Sequence, residues 1–308
     1  MNATVIEVDH VSLHYGPLRA VQDVSFEVRP GQVFGLTGHN GAGKSTLFKM
    51  MLGLLRPTRG SIRIRGEGIE RGSPRSVRRG IGYLPENLAL YENLSGLETL
   101  QFFARVKSAD AGECAALLDR VGLTEAAGRK VREYSKGMRQ RLGFAQALIG
   151  RPSLLLLDEP TNGLDPAATR TFYDTLRALR DEGVSVVISS HLLSEIEPRV
   201  DALAIMANGR LLATGSVADL GQRARLPACV RVNAREGKLL HAGNVIAEAG
   251  FTPVVPQGEQ LSFDVPADRK IALLTVLSSL GDTITGFDIS EPTLEDVFLH
   301  LSRSGTDA

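Results

Sequence analysis

Residues 33–47 read VFGLTGHNGAGKSTL, and this stretch decides the fold of the chain. A short apolar run ends at Thr37, residues 38–45 match the pattern G-x-x-x-x-G-K-[ST], and an apolar spacing typical of a helix follows. Glycines let such a loop curl around a phosphate, which accepts hydrogen bonds from backbone N–H groups at the helix N-terminus. In this pattern Lys44 reaches the β- and γ-phosphates and the Ser45 hydroxyl binds Mg²⁺. The stretch therefore predicts a strand, a phosphate-binding loop and a helix.

Length and composition allow two domains and argue against a nucleic-acid surface. The 308 residues exceed the usual size of one domain, and 35 basic residues balance 35 acidic ones. The two cysteines, Cys114 and Cys229, lie far apart, which favours reduced thiols. No apolar run approaches the roughly 20 residues of a membrane helix, and the N-terminus does not resemble an export signal. We therefore expect a cytoplasmic protein that binds no nucleic acid and reaches a membrane only through a partner.

Acidic side chains follow two segments whose composition predicts buried strands. Leu154–Leu157 is purely apolar and is followed by Asp158 and Glu159. Because the carboxyl ends of strands carry the chemistry of open α/β sheets, we expect Asp158 to hold Mg²⁺ through water. We expect Glu159 to act as the general base toward the attacking water. Glu86 ends the predicted strand in residues 81–87, and its side chain could also reach Mg²⁺.

Two further side chains complete the predicted nucleotide site. His191 follows the predicted strand 184–189, a position from which it could donate a hydrogen bond to the γ-phosphate. Tyr15 lies in a β-rich segment, residues 4–30, that we expect to form an antiparallel layer, and its ring could stack on adenine. Taken alone, a tyrosine or a histidine is more often a packing residue, so both assignments depend on the neighbouring motifs.

A second helix N-terminus predicts that two copies of the chain meet at the nucleotide. Residues 134–148 read YSKGMRQRLGFAQAL and have helical spacing, with Ser135 at the start. Its hydroxyl and the neighbouring N–H groups would form another anion site. One bound triphosphate needs no second site within one chain, so we expect the Ser135 loop to face the γ-phosphate held by a partner copy. Asp165, in the turn TNGLDP, could contact that copy.

The remaining segments predict a helical insertion and a C-terminal domain. Residues 97–107 and 115–121 have helical spacing, and Ser95 with Glu98 gives a capping-box pattern before the first. We expect a nucleotide-binding domain over residues 1–220, with a helical subdomain at about 95–150. From 221 to 308 the order strand, helix, strand, strand, helix, strand suggests a small α+β ferredoxin-like domain. It carries no catalytic constellation, which favours a regulatory or dimer-supporting role.

These motifs, in this order, resemble the nucleotide-binding subunit of ATP-binding-cassette (ABC) transporters over roughly residues 4–220. The resemblance implies an α/β P-loop NTPase cassette with a RecA-like core, an antiparallel β layer and a helical subdomain. It also implies that the chain binds ATP and Mg²⁺ and hydrolyses ATP to ADP and phosphate.

The same resemblance assigns a role to each motif residue. The ATP-binding residues are Tyr15 and the Walker A residues Gly38, His39, Asn40, Gly41, Ala42, Gly43, Lys44, Ser45 and Thr46. The signature that contacts ATP across the dimer is Ser135, Lys136, Gly137 and Met138, and Asp165 is the D-loop residue of the dimer. The Mg²⁺ ligands are Ser45, Glu86 and Asp158, and the catalytic residues are Glu159 and the switch histidine His191.

The sequence departs from the family pattern at a few of these positions. Glu86 stands where glutamine is usual, which adds negative charge beside the phosphates. Lys136 and Met138 replace the usual glycine and glutamine of the signature, and Asn162 stands where a serine is common. Since none of these changes removes a group that the chemistry demands, we expect an active ATPase.

The resemblance also implies partners. Two cassettes would close on two Mg-ATP as a homodimer and drive a separate membrane permease, so that the chain would lie on the inner face of the cell membrane. Leu90, Tyr91 and Leu94 are expected to be exposed and to contact that permease. The ending EPTLEDVFLHL (291–301) resembles cassettes of two-component exporters.

A narrower resemblance concerns the cargo. The segments GHNGAGKSTLFKMMLGLL, IGYLPEN and EYSKGMRQRLGFAQAL are similar to cassettes of the systems that mature nitrous oxide reductase. This implies a role in assembling a copper–sulfur centre, with a periplasmic accessory protein reached through the permease and no copper bound by the cassette itself. The alternatives are the cassette of a drug, lipid or polysaccharide exporter and, in another class, a soluble ABC protein acting mechanically on ribosomes or DNA.

Overall fold

In the computed structural model of the chain, the strand that precedes the glycine loop lies inside a six-stranded sheet. The structure describes residues 4–69, 77, 79–224, 226–252, 254–258 and 260–304. The chain divides into two compact units, Met1–Val217 and Ala218–Ala308, a division three residues before the boundary expected from the sequence.

The first unit alternates strands and helices after an all-β start. Its described strands are β1 (Ile6–Tyr15), β2 (Leu18–Val28), β3 (Val33–Thr37), β4 (Arg59–Ile64), β5 (Glu67–Gly68), β6 (Ile81–Leu84), β7 (Leu154–Leu157), β8 (Ser185–Ser190), β9 (Ala202–Ala207) and β10 (Arg210–Ser216). Its described helices are α1 (Lys44–Met51), α2 (Gly96–Lys107), α3 (Cys114–Arg120), α4 (Lys136–Leu148), α5 (Pro166–Asp181) and α6 (Leu193–Ile196).

Strand order in the large sheet brings distant segments to one edge. The order is β10-β9-β3-β8-β7-β6, and every neighbouring pair is parallel except β9 with β10. Parallel strands end at the same edge, so the segments that follow β3, β7, β8 and β9 meet there. The glycine loop, Glu159, His191 and Asn208 therefore converge although they are far apart in the sequence.

Two hydrophobic cores cover the two faces of this sheet. In β7 the side chains of Leu154 and Leu156 belong to the core that contains α1 and the antiparallel layer, whereas Leu155 and Leu157 belong to the core that contains α2 to α5. Successive side chains of a strand point to opposite faces, so a strand covered on both sides needs an unbroken apolar run. This explains why the run before the two carboxylates consists of leucine alone.

The expected antiparallel layer is confirmed. β1 pairs with β2 and with β4, and β4 pairs with the short β5. The layer packs on the large sheet through stacked rings of Phe26 and Phe34, whose centroids lie 5.1 Å apart. It therefore supports the strand from which the phosphate loop emerges.

The helical insertion begins with the capping box expected from the sequence. The Ser95 hydroxyl accepts a hydrogen bond from Glu98 N at 3.2 Å, and the Glu98 carboxylate accepts one from Ser95 N at 2.7 Å. These bonds satisfy two of the N–H groups that a helix start leaves unpaired. They fix the start of α2, whose buried face includes Leu100 and Ala104.

The second unit has the topology of a ferredoxin-like layer. Its described elements are α7 (Val217–Ala224, which begins at the last residue of the first unit), β11 (Ala228–Ala234), α8 (Leu239–Glu248), β12 (Val254–Gln257), β13 (Gln260–Val265), α9 (Lys270–Ser279), β14 (Ile284–Ser290) and α10 (Leu294–Ser304). The sheet is antiparallel, with the order β12-β13-β11-β14. Side chains of α8 and α9 pack with the sheet in a core around Phe263.

Across the described residues of both units, no helix combines the length and the apolarity that a membrane span requires.

The capping box predicts a measurable loss of stability. Replacing Ser95 by alanine removes the acceptor of Glu98 N, and we expect the free energy of unfolding to fall by about 1 kcal/mol. Urea unfolding followed by circular dichroism measures this change. Ser108→Ala at the other end of α2 is the matched control, because within the described residues the Ser108 side chain makes no hydrogen bond. Equal stability of Ser95→Ala and wild type would contradict the assignment.

The same box predicts an acid dependence. The hydrogen bond from Ser95 N, followed by contacts with Lys130, holds the pKa of Glu98 below its usual 4.5. A carboxylate with a lowered pKa stabilises the folded state above pH 4.5, and this contribution is lost as the pH falls through the folded-state value. We expect melting temperatures of wild type and Glu98→Gln to differ at neutral pH and to converge in acid. A constant difference across the titration would contradict this.

Candidate nucleotide-binding site

A cavity of about 680 Å³ opens at the edge where the parallel strands end. The predicted site residues that line it are Tyr15, Asn40, Gly41, Ala42, Gly43, Lys44, Ser45, Thr46, Glu86, Glu159 and His191. Most of the expected ATP-binding, metal-binding and catalytic side chains therefore share one cavity within a single chain.

The phosphate loop depends on glycine at two positions. Gly38 has φ +152°, and a Cβ there would lie 2.2 Å from the Met206 carbonyl oxygen. Gly43 has φ +103°, and a Cβ there would lie 2.7 Å from the Ala20 carbonyl oxygen. Since any side chain would push the loop away from the neighbouring strands, glycine is what lets the backbone approach them.

Lys44 is almost buried at the base of this loop. Its side chain is 7% exposed, and its Nζ donates to the Gly38 carbonyl oxygen at 2.5 Å. The same Nζ lies 3.6 Å from Glu159 Oε1. A buried ammonium needs such oxygen partners, and phosphate oxygens are of the same kind. The lysine is thus held beside the loop, ready to bind an anion in the cavity.

The carboxylate of Glu159 lies between two groups that can donate hydrogen bonds. One of its oxygens faces Lys44, and the other lies 2.7 Å from His191 Nδ1. The Glu159 backbone has φ 48°, which is unfavourable for a residue with a side chain and is typical of functional sites. At 8% exposure the carboxylate is buried at the end of β7, where it can accept a proton from a water in the cavity.

Asp158 does not line the cavity but braces the turn behind it. Its Oδ1 accepts a hydrogen bond from Ser189 Oγ at 2.7 Å, and Ser189 Oγ accepts one from Glu159 N at 2.8 Å. Burial, followed by the negative charges of Asp158 and Glu86, raises the pKa of Tyr83 to about 12. The negative charges of Asp158 and Glu86 thus both act on the Tyr83 phenol. The sequence did not predict that Ser189 would brace the turn that carries Glu159.

The cavity also includes residues that the sequence did not assign to it. Tyr15, 48% exposed, lines it together with Arg19, Asn208 and Gly209. The hairpin turn of Asn208 and Gly209 was expected, but its place in the site follows from β9 being the neighbour of β3. Gly209 N donates to the Ala42 carbonyl oxygen at 3.1 Å, which ties this turn to the phosphate loop.

Two of the expected residues in the glycine loop, Gly38 and His39, are not among the residues that line the cavity. His39 is exposed, does not line the cavity, and places its Nδ1 2.7 Å from the Asn40 carbonyl oxygen. Asn162 does line it, although the sequence assigned it no role beyond a departure from the family pattern. Its position three residues after Glu159, in the turn that follows β7, is the feature of the sequence that could have indicated its place in the cavity.

The signature residues do not reach the cavity of their own chain. Ser135 is the N-cap of α4 and accepts a hydrogen bond from Met138 N at 3.2 Å. Asp165 is the N-cap of α5 and accepts one from Ala168 N at 2.8 Å. Lys136, Gly137 and Met138 are likewise not among the described residues that line the cavity. The N-terminus of α4, where the sequence predicts a second anion site, is therefore separate from the cavity within one chain.

The expected exposure of the three permease-contacting residues is only partly correct. Tyr91 is 52% exposed, with its ring 5.2 Å from that of Phe102 in an edge-on arrangement. Leu90 and Leu94 are half-buried, because Leu90 packs against the core of the helical insertion and Leu94 lies in a turn bonded to Val131 N. Phe102, 38% exposed, is an additional aromatic residue on this surface that the sequence did not single out.

The residues present fit a nucleotide with Mg²⁺. The cavity combines a loop of backbone N–H groups at the start of α1, one buried lysine and the hydroxyl of Ser45. Carboxylates and hydroxyls are oxygen donors of the kind that Mg²⁺ prefers. Ser45 and Glu86 would hold the ion at the cavity, with Asp158 behind them, and the bound metal would neutralise phosphate charge.

Comparison with known proteins agrees with this chemistry. The family described as ABC transporter matches residues 21–162. An uncharacterized ABC transporter ATP-binding protein, YhcH of Bacillus subtilis (strain 168), is 44% identical over 218 residues, which cover 70% of this chain and 71% of the relative. The daunorubicin resistance ATP-binding protein DrrA3 of Streptomyces coeruleorubidus is 34% identical over 310 residues, covering 98% of this chain and 97% of the relative.

A solved structure supports the fold. The structure described as that of an ATP binding subunit of an ABC transporter superposes with a TM-score of 0.66 at 33% identity, covering 71% of this chain and 93% of the other. The cassette fold expected from the sequence is thereby confirmed. The chain belongs to the ATP-binding proteins of the ABC transporter family, which bind ATP with Mg²⁺ and hydrolyse it.

Proposed function

We propose that the chain is the ATP-hydrolysing subunit of an ABC exporter whose cargo is a drug-like molecule. The observation that carries this proposal is the similarity to the daunorubicin resistance protein over 98% of the chain. That similarity includes the second unit, which lies outside the residues that bind nucleotide. Cassette residues are common to transporters of many cargoes, so a match limited to them would carry no information about cargo.

The role in copper-centre maturation, with its periplasmic accessory protein, was the narrower expectation from the sequence. The relatives described above lend it no support, since the one whose name states a role is a drug resistance protein. Export of a drug-like molecule, an alternative from the same sequence reasoning, therefore becomes the main proposal. Lipid or polysaccharide export would use the same catalytic residues and differ only in the permease.

The catalytic roles follow from the contacts in the cavity. Glu159 would accept the proton of the attacking water, because its carboxylate is buried and oriented by His191 Nδ1 at 2.7 Å. Lys44 would leave its resting contact with Glu159 and bind the terminal phosphates of ATP. With a hydrogen on each ring nitrogen, His191 would donate from Nε2 to the γ-phosphate while Nδ1 keeps its contact with Glu159. Tyr15, 48% exposed at the cavity, offers a ring face for adenine.

A partner copy would complete the site. Cassettes of this family generally form dimers and pair with a membrane permease. Ser135 lies at a helix N-terminus with no phosphate loop beside it in its own chain, so a partner's nucleotide is the natural ligand for it. Asp165 would lie near that interface. The exposed pair Tyr91 and Phe102 offers an apolar surface for the permease, and the half-buried Leu90 and Leu94 are close to Tyr91 in the sequence.

The role of Glu159 predicts a variant that binds but does not turn over. Glu159→Gln should retain ATP binding and accumulate ATP-bound dimers, while the hydrolysis rate falls by about 10²–10⁴-fold. Phosphate release and size-exclusion chromatography measure the two effects. Glu182→Gln, which changes only a surface ion pair with Arg120, is the control and should hydrolyse ATP normally. Unchanged turnover in Glu159→Gln would refute the base assignment.

Cargo is tested in cells of the source organism. Deleting the gene for this chain should raise the accumulation of daunorubicin, and the wild-type chain but not Glu159→Gln should restore efflux. Nitrous oxide reductase activity is measured in the same strains and should be unaffected. Normal accumulation together with a copper-deficient reductase would instead support the narrower expectation from the sequence.

A further inference from the structure

The turn that carries Glu159 is held from both sides by hydrogen bonds. Before it, Glu159 N donates to Ser189 Oγ at 2.8 Å. After it, the Pro160 carbonyl oxygen accepts a hydrogen bond from Gln140 Nε2 at 2.9 Å. Gln140 is 5% exposed and lies in α4, the helix that begins at Ser135. The catalytic turn is thus bonded to strand β8 on one side and to helix α4 on the other.

The bond from Gln140 acts one residue after a strained position in the turn. Glu159 has φ 48°, a conformation that persists only where the surroundings enforce it. Proline has no N–H to donate, so the carbonyl is the one backbone group through which Pro160 itself can be held by a hydrogen bond. A buried carbonyl that loses its donor would have to turn toward other partners or water. Such a rotation would disturb the backbone next to Glu159, on which the position of its carboxylate depends.

Packing between α4 and the same turn makes this link specific. A Cβ on Gly137 would lie 3.1 Å from the Gly163 carbonyl oxygen. A Cβ on Gly163, where φ is +87°, would lie 2.7 Å from the side-chain carbons of Lys136. The first turn of α4 is therefore in close contact with residue 163, and Gln140 adds the polar bond one turn further along the helix.

We propose that Gln140 is a positioning residue for ATP hydrolysis. Its amide fixes the Pro160 carbonyl and thereby sets where the Glu159 carboxylate lies in the cavity. Because the same helix begins at Ser135, contact of that end with a partner's nucleotide would bear directly on the chain's own catalytic turn. The inference rests on the proposed role of Glu159 as the general base.

The test replaces the amide without changing the length of the side chain. Gln140→Met keeps an unbranched side chain that suits a helix interior but cannot donate a hydrogen bond. Gln146→Met in the same helix is the matched control, since within the described residues the Gln146 side chain makes no hydrogen bond. Both variants are made in the full chain, and thermal melting shows the folded fraction of each.

We expect kcat of Gln140→Met to fall by about 10–100-fold per folded chain, the cost of a misplaced catalytic group. The affinity for a fluorescent ATP analogue should change by less than about 3-fold, because the phosphate loop and Tyr15 are untouched. In the Glu159→Gln background, Gln140→Met should leave ATP-dependent dimers intact, which a general disruption of α4 would not.

Three results would overturn the proposal. A kcat within about 2-fold of wild type, with Glu159→Gln inactive, would show that Gln140 positions nothing that matters to the reaction. Parallel losses of kcat, nucleotide affinity and dimers would assign it a structural role only. If Glu159→Gln hydrolyses ATP normally, the proposed base is wrong, and the positioning role falls with it.

Discussion

Parallel pairing of β3 with β8 and β9 is the constraint on which the site depends. It sets the phosphate loop beside the ends of the strands that carry His191 and Asn208, and β7 adds Glu159. No single one of these segments could bind a triphosphate and activate water. The antiparallel layer also contacts the phosphate loop at this edge. The carbonyl of Ala20 in β2 lies so close to Gly43 that no side chain fits there.

Electrostatic balance inside the cavity explains how buried charges are tolerated. Lys44 and Glu159 are 7% and 8% exposed, and each would be costly to bury alone. At 3.6 Å they compensate each other, and His191 adds a hydrogen bond on the other carboxylate oxygen. Negatively charged phosphates can replace Glu159 as the partner of Lys44. The Glu159 carboxylate can then act on water. The contacts with Lys44 and His191 thus orient the Glu159 carboxylate within the cavity.

The sequence predicted those features that depend on a local pattern of residues. Three such features are each defined by a few consecutive residues: the glycine loop, the leucine run before Asp158 and the capping box at Ser95. The structure contains all three. Features that depend on which strands are neighbours were missed, as Asn208 and Gly209 illustrate. The partial burial of Leu90 was also not predicted, because it is set by how the insertion packs on itself.

The N-cap of α4 has a consequence for the chemistry of recognition. The Ser135 oxygen accepts a bond from Met138 N, and this leaves its own hydrogen without an intrachain acceptor among the described residues. A hydroxyl has one donor and two acceptor positions, so capping uses only an acceptor. An arriving phosphate oxygen can take the spare hydrogen without breaking the helix start. Stability of the helix and affinity for an anion therefore draw on different parts of one side chain and need not compete.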